Sequence, residues 1–324
     1  MSFRRTMQIA AVAAIAIISV GPVKAADDYP TKPIRMIVPF PPGSGTDTSA
    51  RRVAQMIFDQ TGQQGLVENK PGASGFLAAQ AVATAPADGY TLLVTTNTTH
   101  AANAALFKKL PYDPIKDFAP IGRIAVAGLV LVVRPDSPYK TVDDITKAAK
   151  AAPGKLAFAS GSSSTHIAGE MYASMAGISL LHVPYKGVPQ ALTDLMGGQV
   201  DFVISDVTPA TPLIKGGKLR PIAVTLEKRH FNFPDVPTMA ESGLKGYSMF
   251  AWSAVFAPAG TPRPIIDKLS AIVRKGVESP AMQESFRTTG GEGAPMTPDE
   301  LGAFVVSETE KWAKAVKAAG IQPE

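Results

Sequence analysis

The strongest constraint on this fold is the alternation of short apolar runs with amphipathic stretches along the chain. The apolar runs are continuous, which is typical of strands buried on both faces of a sheet. We predict strands at Ile34–Phe40, Tyr90–Thr95, Leu129–Val133, Leu156–Ala159, Val200–Ile204 and Leu219–Thr225. We predict helices at Thr48–Gln60, Gly75–Ala85, Thr141–Ala151, Thr165–Ala176 and Val188–Met196. This repeat predicts an α/β fold with doubly wound parallel sheets.

The region after Pro262 has a different character. It predicts helices at Pro264–Glu278 and Pro298–Ala319 and no strand between them. Because one sheet holds this many strands poorly, we predict two lobes with chain crossings at Leu129–Arg134 and near Phe250–Pro258. Lobe 1 is then discontinuous, residues 26–128 and 253–324, and lobe 2 is residues 129–252.

The N-terminus has the pattern of a secretory signal peptide over residues 1–25. Arg4 and Arg5 precede an apolar run at Ile9–Val20, and Val23 and Ala25 are the small residues of a cleavage site. The run is shorter than the roughly 20 residues of a spanning helix, although an uncleaved anchor stays an alternative. The pattern predicts export to the periplasm.

Charge and cysteine content exclude several classes of protein. Cleavage after residue 25 removes three basic residues and no acidic one, so the net charge falls from +5 to +2. The chain has no run of five basic residues, so neither a nucleic-acid-binding surface nor a surface for anionic membranes is predicted. Since the chain has no Cys, neither a disulfide nor a lipoprotein anchor is available.

A glycine-bearing turn, Pro39–Asp47, lies between the first predicted strand and the first helix. Free backbone N–H groups and the positive end of the helix dipole at such a turn bind carboxylate or phosphate. Gly43 and Gly45 allow close approach, Ser44 and Thr46 add hydroxyls, and Asp47 is the predicted N-cap. An ordinary capped turn is the alternative. The spacing fits no nucleotide-binding motif.

Two further turns repeat this pattern. Ala159–His166 carries four hydroxyls between a strand and a helix, and Thr95–His100 is dense in hydroxyl and amide groups. One turn in each lobe predicts a cleft that grips an anion from both sides. Asp206 ends a strand and either accepts a hydrogen bond from the ligand or caps the next helix.

The sequence offers little catalytic machinery. The four histidines lack a metal-ligand spacing, and the serine-rich turn lacks a nucleophile elbow. We therefore predict no catalytic residue, metal or cofactor. A triad of Ser163, His100 and Asp206 stays open, because triads assemble through space.

Ordered motifs along the whole mature chain resemble those of the Bug family of periplasmic solute receptors, the substrate-binding components of tripartite tricarboxylate transporters. They are Tyr29-Pro30, Lys32–Arg35, Val38–Phe40, Val67–Gly75, Asp88–Leu93, Lys109–Pro114, His182–Gly187 and Phe256–Pro262. The resemblance implies a type II periplasmic-binding-protein fold, in which two lobes are joined by two crossover strands. Ligand carboxylates are then held by backbone amides and hydroxyls.

Carried onto this chain, the resemblance implies one set of ligand contacts: Phe40, Gly43, Ser44, Gly45, Thr46, Asp47, Thr96, Asn97, Ser160, Ser163, Ser164, Thr165 and Asp206. Two segments, Pro42–Gly45 and Ser205–Val207, depart from the usual family pattern. The implied partners are a small carboxylate and membrane permease subunits, and the protein is expected to be a monomer. A periplasmic sensor that presents its closed form to a signalling kinase is the alternative, since it would use the same lobes.

Overall fold

A computed structural model describes residues 28–323 of the chain. The predicted signal peptide lies outside these residues. Ten strands are present among them: β1 Ile34–Val38, β2 Gly65–Asn69, β3 Thr91–Thr96, β4 Phe118–Val133, β5 Ala157–Ser160, β6 Leu181–Pro184, β7 Phe202–Asp206, β8 Arg220–Val224, β9 Phe250–Pro258 and β10 Gly291–Gly293.

Ten α-helices connect these strands within residues 28–323. They are α1 Gly45–Thr61, α2 Phe76–Ala83, α3 Asn103–Leu106, α4 Val142–Ala151, α5 Ser163–Ala176, α6 Val188–Met196, α7 Val207–Lys215, α8 Arg263–Glu278, α9 Pro280–Thr288 and α10 Pro298–Ala318. A 3-10 turn at Ala73–Gly75 precedes α2, and a π turn at Thr98–Ala102 precedes α3.

The strands form two groups that share β4. The order is β2-β1-β3-β9-β4-β7-β5-β6, and β8 and β10 also pair with β4. β1 lies parallel to β2 and β3, and β5 lies parallel to β6 and β7. The predicted α/β class with parallel strands is confirmed, while the residue boundaries of the two lobes stay a prediction.

The 16-residue strand β4 connects the groups. Its Phe118–Gly128 part pairs antiparallel with β9, and its Leu129–Val133 part pairs with β7 and β8. Only the second part was predicted, because Pro120, Gly122 and Arg123 interrupt the apolar pattern of the first. The register shifts at these interruptions, which is typical of β-bulges.

Three other elements differ from the prediction. The expectation of no strand between the two C-terminal helices is wrong, since α9 and β10 lie there. β10 is a three-residue Gly-Glu-Gly strand without an apolar run. β2 and β6 are the outermost strands of the order, and Leu66 and Leu181 on them are about half exposed, so no continuous apolar signal marks them.

The apolar core lies on both faces of the strands, and a buried carboxylate lies within it. The carboxylate of Glu308 in α10 is buried and accepts hydrogen bonds from Trp252 Nε1 at 3.0 Å and Trp312 Nε1 at 3.2 Å. Trp252 belongs to β9 and Trp312 to α10 itself, so the Trp252 bond connects the C-terminal helix to the strand that pairs with β4. A buried carboxylate is tolerated here because donors face it.

Gly161, in the turn between β5 and α5, packs directly against the backbone at the start of α6. A Cβ built on Gly161 would collide with Val188 N and Gly187 C and would lie 2.6 Å from Val188 Cα. We expect Gly161→Ala to lower the free energy of unfolding by about 1–3 kcal/mol in urea titrations, because the backbone must move to admit the methyl group.

Gly302→Ala in α10 is the matched control. A Cβ at Gly302 meets only Pro120 Cγ, at an ordinary 3.7 Å. Removing a helical glycine stabilises by about 0.5–1 kcal/mol, so this variant should be as stable as the parent or more so. Equal stability of Gly161→Ala and the parent would contradict the tight packing of this turn.

Candidate functional site

A cavity of about 60 Å³ lies where the turns after β1, β3, β5 and β7 meet the β4–β9 pair. This volume holds several water molecules, since one needs about 10–15 Å³. Seven of the thirteen predicted residues line it: Phe40, Ser44, Gly45, Thr46, Thr96, Ser164 and Asp206. The cavity therefore lies at the carboxyl ends of parallel strands, where α/β sheets place ligands.

The first wall is the start of α1. The prediction of Asp47 as N-cap is wrong, because Ser44 is the N-cap and its Oγ accepts from Asp47 N at 3.2 Å. Asp47 sits one turn further on, where its carboxylate accepts from Gly43 N at 3.0 Å. The N–H groups of Gly45 and Thr46 have no acceptor among the described residues, and both residues line the cavity.

The Asp47 carboxylate holds this turn in shape. Burial acts to raise its pKa, but hydrogen bonds from Arg51, Gly43 and Asn69 outweigh burial and hold the pKa below the ordinary value. Asn69 Nδ2 also donates to Phe40 O at 2.8 Å. The carboxylate thus accepts from the Gly43 N–H, and Ser44 N donates to Pro41 O at 3.2 Å, whereas the N–H groups of Gly45 and Thr46 have no acceptor among the described residues.

The second wall is the start of α5, which is capped in the same way. Ser162 is the N-cap, and Thr165 Oγ1 accepts from Gly161 N at 3.0 Å and from Ser162 N at 3.1 Å. Thr165 is fully buried and serves this cap. Ser162 and Ser164 line the cavity, and the N–H of Ser164 has no acceptor among residues 28–323.

The other predicted residues lie outside the cavity lining. Ser163 Oγ donates to Asn103 Oδ1 at 2.8 Å, and Ser160 Oγ is 2.8 Å from His182 Nε2. Both serines line a neighbouring cleft. Asn97 is fully buried behind Thr96, and Gly43 borders a separate surface groove.

Asp206 ends β7 and is the N-cap residue of α7, but its side chain makes no capping hydrogen bond. The residue is partly exposed, and it lines the cavity. Burial raises its pKa to about 6. A ligand that enters the cavity would meet this carboxyl group.

The sequence-based site omitted several cavity residues that come from distant parts of the chain. They are Ser49, Arg52, Ala125, Val126, Ala127, Val188, Thr208, Ala251, Trp252, Ser253, Phe286 and Gly291, with Gly161 and Ser162 of the second turn. Ser49 and Arg52 follow Gly45 at helical spacing, so the period of α1 was a usable signal. Most of the remainder lie on β4, β9 and α9, with Val188 on α6, Thr208 on α7 and Gly291 on β10.

His100 occupies a structural position. His100 is fully buried, stacks on Phe256 at a centroid distance of 4.0 Å, and lies 2.9 Å from Thr99 Oγ1 through Nδ1. Burial lowers its pKa to about 3. Since Ser163 donates to Asn103, the proposed Ser163–His100 hydrogen bond of a triad is not formed. Among the described residues, no group of three or more acidic or His side chains is arranged to hold a metal ion.

Within residues 28–323, no helix combines the length and apolar character needed to cross a bilayer.

Residues 49–321 match the family described as "Tripartite tricarboxylate transporter family receptor". The chain belongs to this family. BugT of Bordetella pertussis is 36% identical over 309 residues, which covers 94% of this chain and 95% of BugT. The resemblance to Bug-family receptors is thereby confirmed.

Solved structures agree in fold. Rpa4515 of R. palustris with adipate superposes with a TM-score of 0.89 at 35% identity, covering 91% of this chain and 100% of that one. MatC from Rhodopseudomonas palustris with bound malate superposes with a TM-score of 0.84 at 32% identity, covering 89% of this chain and 100% of MatC. These similarities confirm the two-lobed type II binding-protein fold. Receptors of this family are periplasmic binding proteins rather than enzymes.

The raised pKa of Asp206 predicts a pH-dependent cost in stability. The folded state holds the proton to about pH 6, whereas the ordinary value is 3.8, so stability falls as pH rises through this window. We expect Asp206→Asn to unfold at higher urea at pH 7.5, with a gain in the free energy of unfolding of about 3 kcal/mol. The gain should vanish near pH 4.

Asp136→Asn is the control, because Asp136 is 78% exposed. It should change the free energy of unfolding by less than about 0.5 kcal/mol at either pH. A gain for Asp206→Asn that persists unchanged at pH 4 would show that ionisation of this carboxyl is not its source.

Proposed function

We propose that this protein is a periplasmic receptor that captures a small carboxylate and delivers it, chemically unchanged, to the membrane subunits of a tripartite tricarboxylate-type transporter. The signal-peptide pattern of residues 1–25 supports export, and family membership supports the transport partner. The relatives solved with adipate and with malate support a carboxylate as the ligand class.

One observation supports the proposal most directly: the N-termini of α1 and α5 meet at one cavity, and backbone N–H groups there have no acceptor among the described residues. The free amides are those of Gly45 and Thr46 on α1 and of Ser164 on α5. Oriented amides and the positive ends of two helix dipoles favour an anion in the cavity. A carboxylate suits them because its two oxygens can accept from both walls.

We propose that the ligand contacts the seven predicted residues that line the cavity. Ser44, Gly45, Thr46 and Ser164 bind a carboxylate, Thr96 adds a hydroxyl, and Phe40 excludes water. Asp206 accepts a hydrogen bond from a hydroxyl or amino group of the ligand. The remaining six, Gly43, Asp47, Asn97, Ser160, Ser163 and Thr165, support the turns that hold this set.

Binding is coupled to closure of the two walls. Thr98 Oγ1 lies 3.3 Å from Ser164 Oγ, and Ser163 donates to Asn103, so the start of α5 contacts the turn after β3. A ligand that touches both sides favours the closed arrangement, whereas one that touches a single side shifts nothing. The closed form is the one we propose to dock on the permease.

A bulky residue at position 164 should abolish binding. Ser164 is 2% exposed and faces the cavity, so the ring of Ser164→Phe would occupy the ligand volume. Adipate or malate at about 100 times its dissociation constant should stabilise the parent by about 2.7 kcal/mol, which raises the melting temperature by several degrees. The variant should show no shift in thermal unfolding.

Ser174→Phe, on the exposed side of the same helix, should keep the full shift. A shift that survives in Ser164→Phe would contradict the site. If the parent binds no carboxylate at any concentration, the proposed ligand class is wrong.

A further inference from the structure

Arg52 is the basic side chain among the described residues that line the cavity, and its position follows from the helical period. Gly45, Ser49 and Arg52 all lie on the cavity side of α1. At 1.5 Å per residue, Arg52 Cα is about 10 Å along the axis from the Gly45 amide. Helical side chains lean toward the N-terminus, which brings the guanidinium nearer to that amide.

The hydrogen bonds of Arg52 leave one nitrogen free. Nε donates to Ser285 Oγ at 3.1 Å, and Nη2 donates to Ser285 O at 2.7 Å and to Thr289 Oγ1 at 2.9 Å. A guanidinium has five N–H donors, of which two are on Nη1. Within residues 28–323, neither Nη1 donor has an acceptor.

The guanidinium is held rigidly in a partly buried place without an opposite charge. It stacks over the Phe286 ring at 4.6 Å, and Phe286 also lines the cavity. None of the described carboxylates lies within 4.0 Å of it, and burial lowers its pKa. A partly buried cation without a counter-ion is costly, so an anion in the cavity would stabilise it.

We propose that Arg52 binds a second carboxylate of the ligand through Nη1, so that this receptor selects dicarboxylates over monocarboxylates of equal chain length. The inference rests on the proposed function, in which the first carboxylate binds at the starts of α1 and α5. The three tethering bonds fix Nη1 in direction, and the α1 amides and Nη1 together set the distance between the two ligand carboxylates.

The test compares adipate with hexanoate, which has the same six carbons and one carboxylate. Isothermal titration calorimetry at pH 7.5 measures both ligands on the parent, on Arg52→Met and on Arg123→Met. We expect the parent to bind adipate at least tenfold more tightly than hexanoate. Arg52→Met should lose about tenfold to hundredfold in adipate affinity, the effect of one charge-assisted hydrogen bond, and should bind hexanoate as the parent does.

Arg123→Met is the matched control. Arg123 is also partly buried, stacks over Phe304 at 5.1 Å and donates to Ala294 O at 2.7 Å, but it lies outside the cavity lining. Arg123→Met should leave the affinities for adipate and hexanoate unchanged. This control distinguishes the loss of a ligand contact at Arg52 from the loss of one positive charge.

Four results would overturn the inference. Equal affinity of the parent for adipate and hexanoate would do so whether or not any variant folds. An equal loss of both ligands in Arg52→Met would show that Arg52 only supports α9. Binding of hexanoate but not adipate would reject the second-carboxylate site and leave the proposed function intact, whereas binding of neither ligand would reject the proposed carboxylate function as well.

Discussion

The antiparallel pairing of β4 with β9 is the interaction on which the rest of the structure depends. β4 pairs with β9 and β10 over its first part and with β7 and β8 over its last part, so one continuous strand belongs to both groups. The turn after β3 reaches the cavity because β3 pairs with β9, and Asp206 reaches it because β7 pairs with β4. The cavity therefore forms where these pairings converge, and Trp252 and Glu308 anchor α10 to the same frame.

The polar chemistry of the site follows from helix capping. Each turn uses a side chain to satisfy some of its amides: Asp47 takes the Gly43 N–H, and Thr165 takes those of Gly161 and Ser162. The N–H groups of Gly45, Thr46 and Ser164 remain unsatisfied by these caps, and their residues line the cavity. Backbone amides cannot titrate and are fixed by the helices, so they offer an anion a preorganised partner. Arg52 and Asp206 add one basic and one acidic group to this neutral set.

Sequence reasoning succeeded where a local pattern has a single physical cause. The buried strands β1, β3, β5 and β7 carry continuous apolar runs, and the turns that follow them carry glycine or hydroxyl groups, so both features were readable. The prediction of Asp47 as N-cap is wrong because a carboxylate at the third helical position and one at the cap have similar local sequence signatures. β10 was missed because its Gly-Glu-Gly segment forms a strand only through pairing with β4.

By itself, the sequence determined the strand–helix repeat, the order of the polar turns and the absence of disulfides, because each of these depends on residues that are neighbours in the chain. The tertiary structure alone decided which turn residues share one cavity and which remain in the caps. It also brought Phe286 and Gly291 within reach of residues 44–52 and left Nη1 of Arg52 without an acceptor among residues 28–323. Those outcomes depend on pairings between distant strands, and a pattern of nearest neighbours carries no information about such distances.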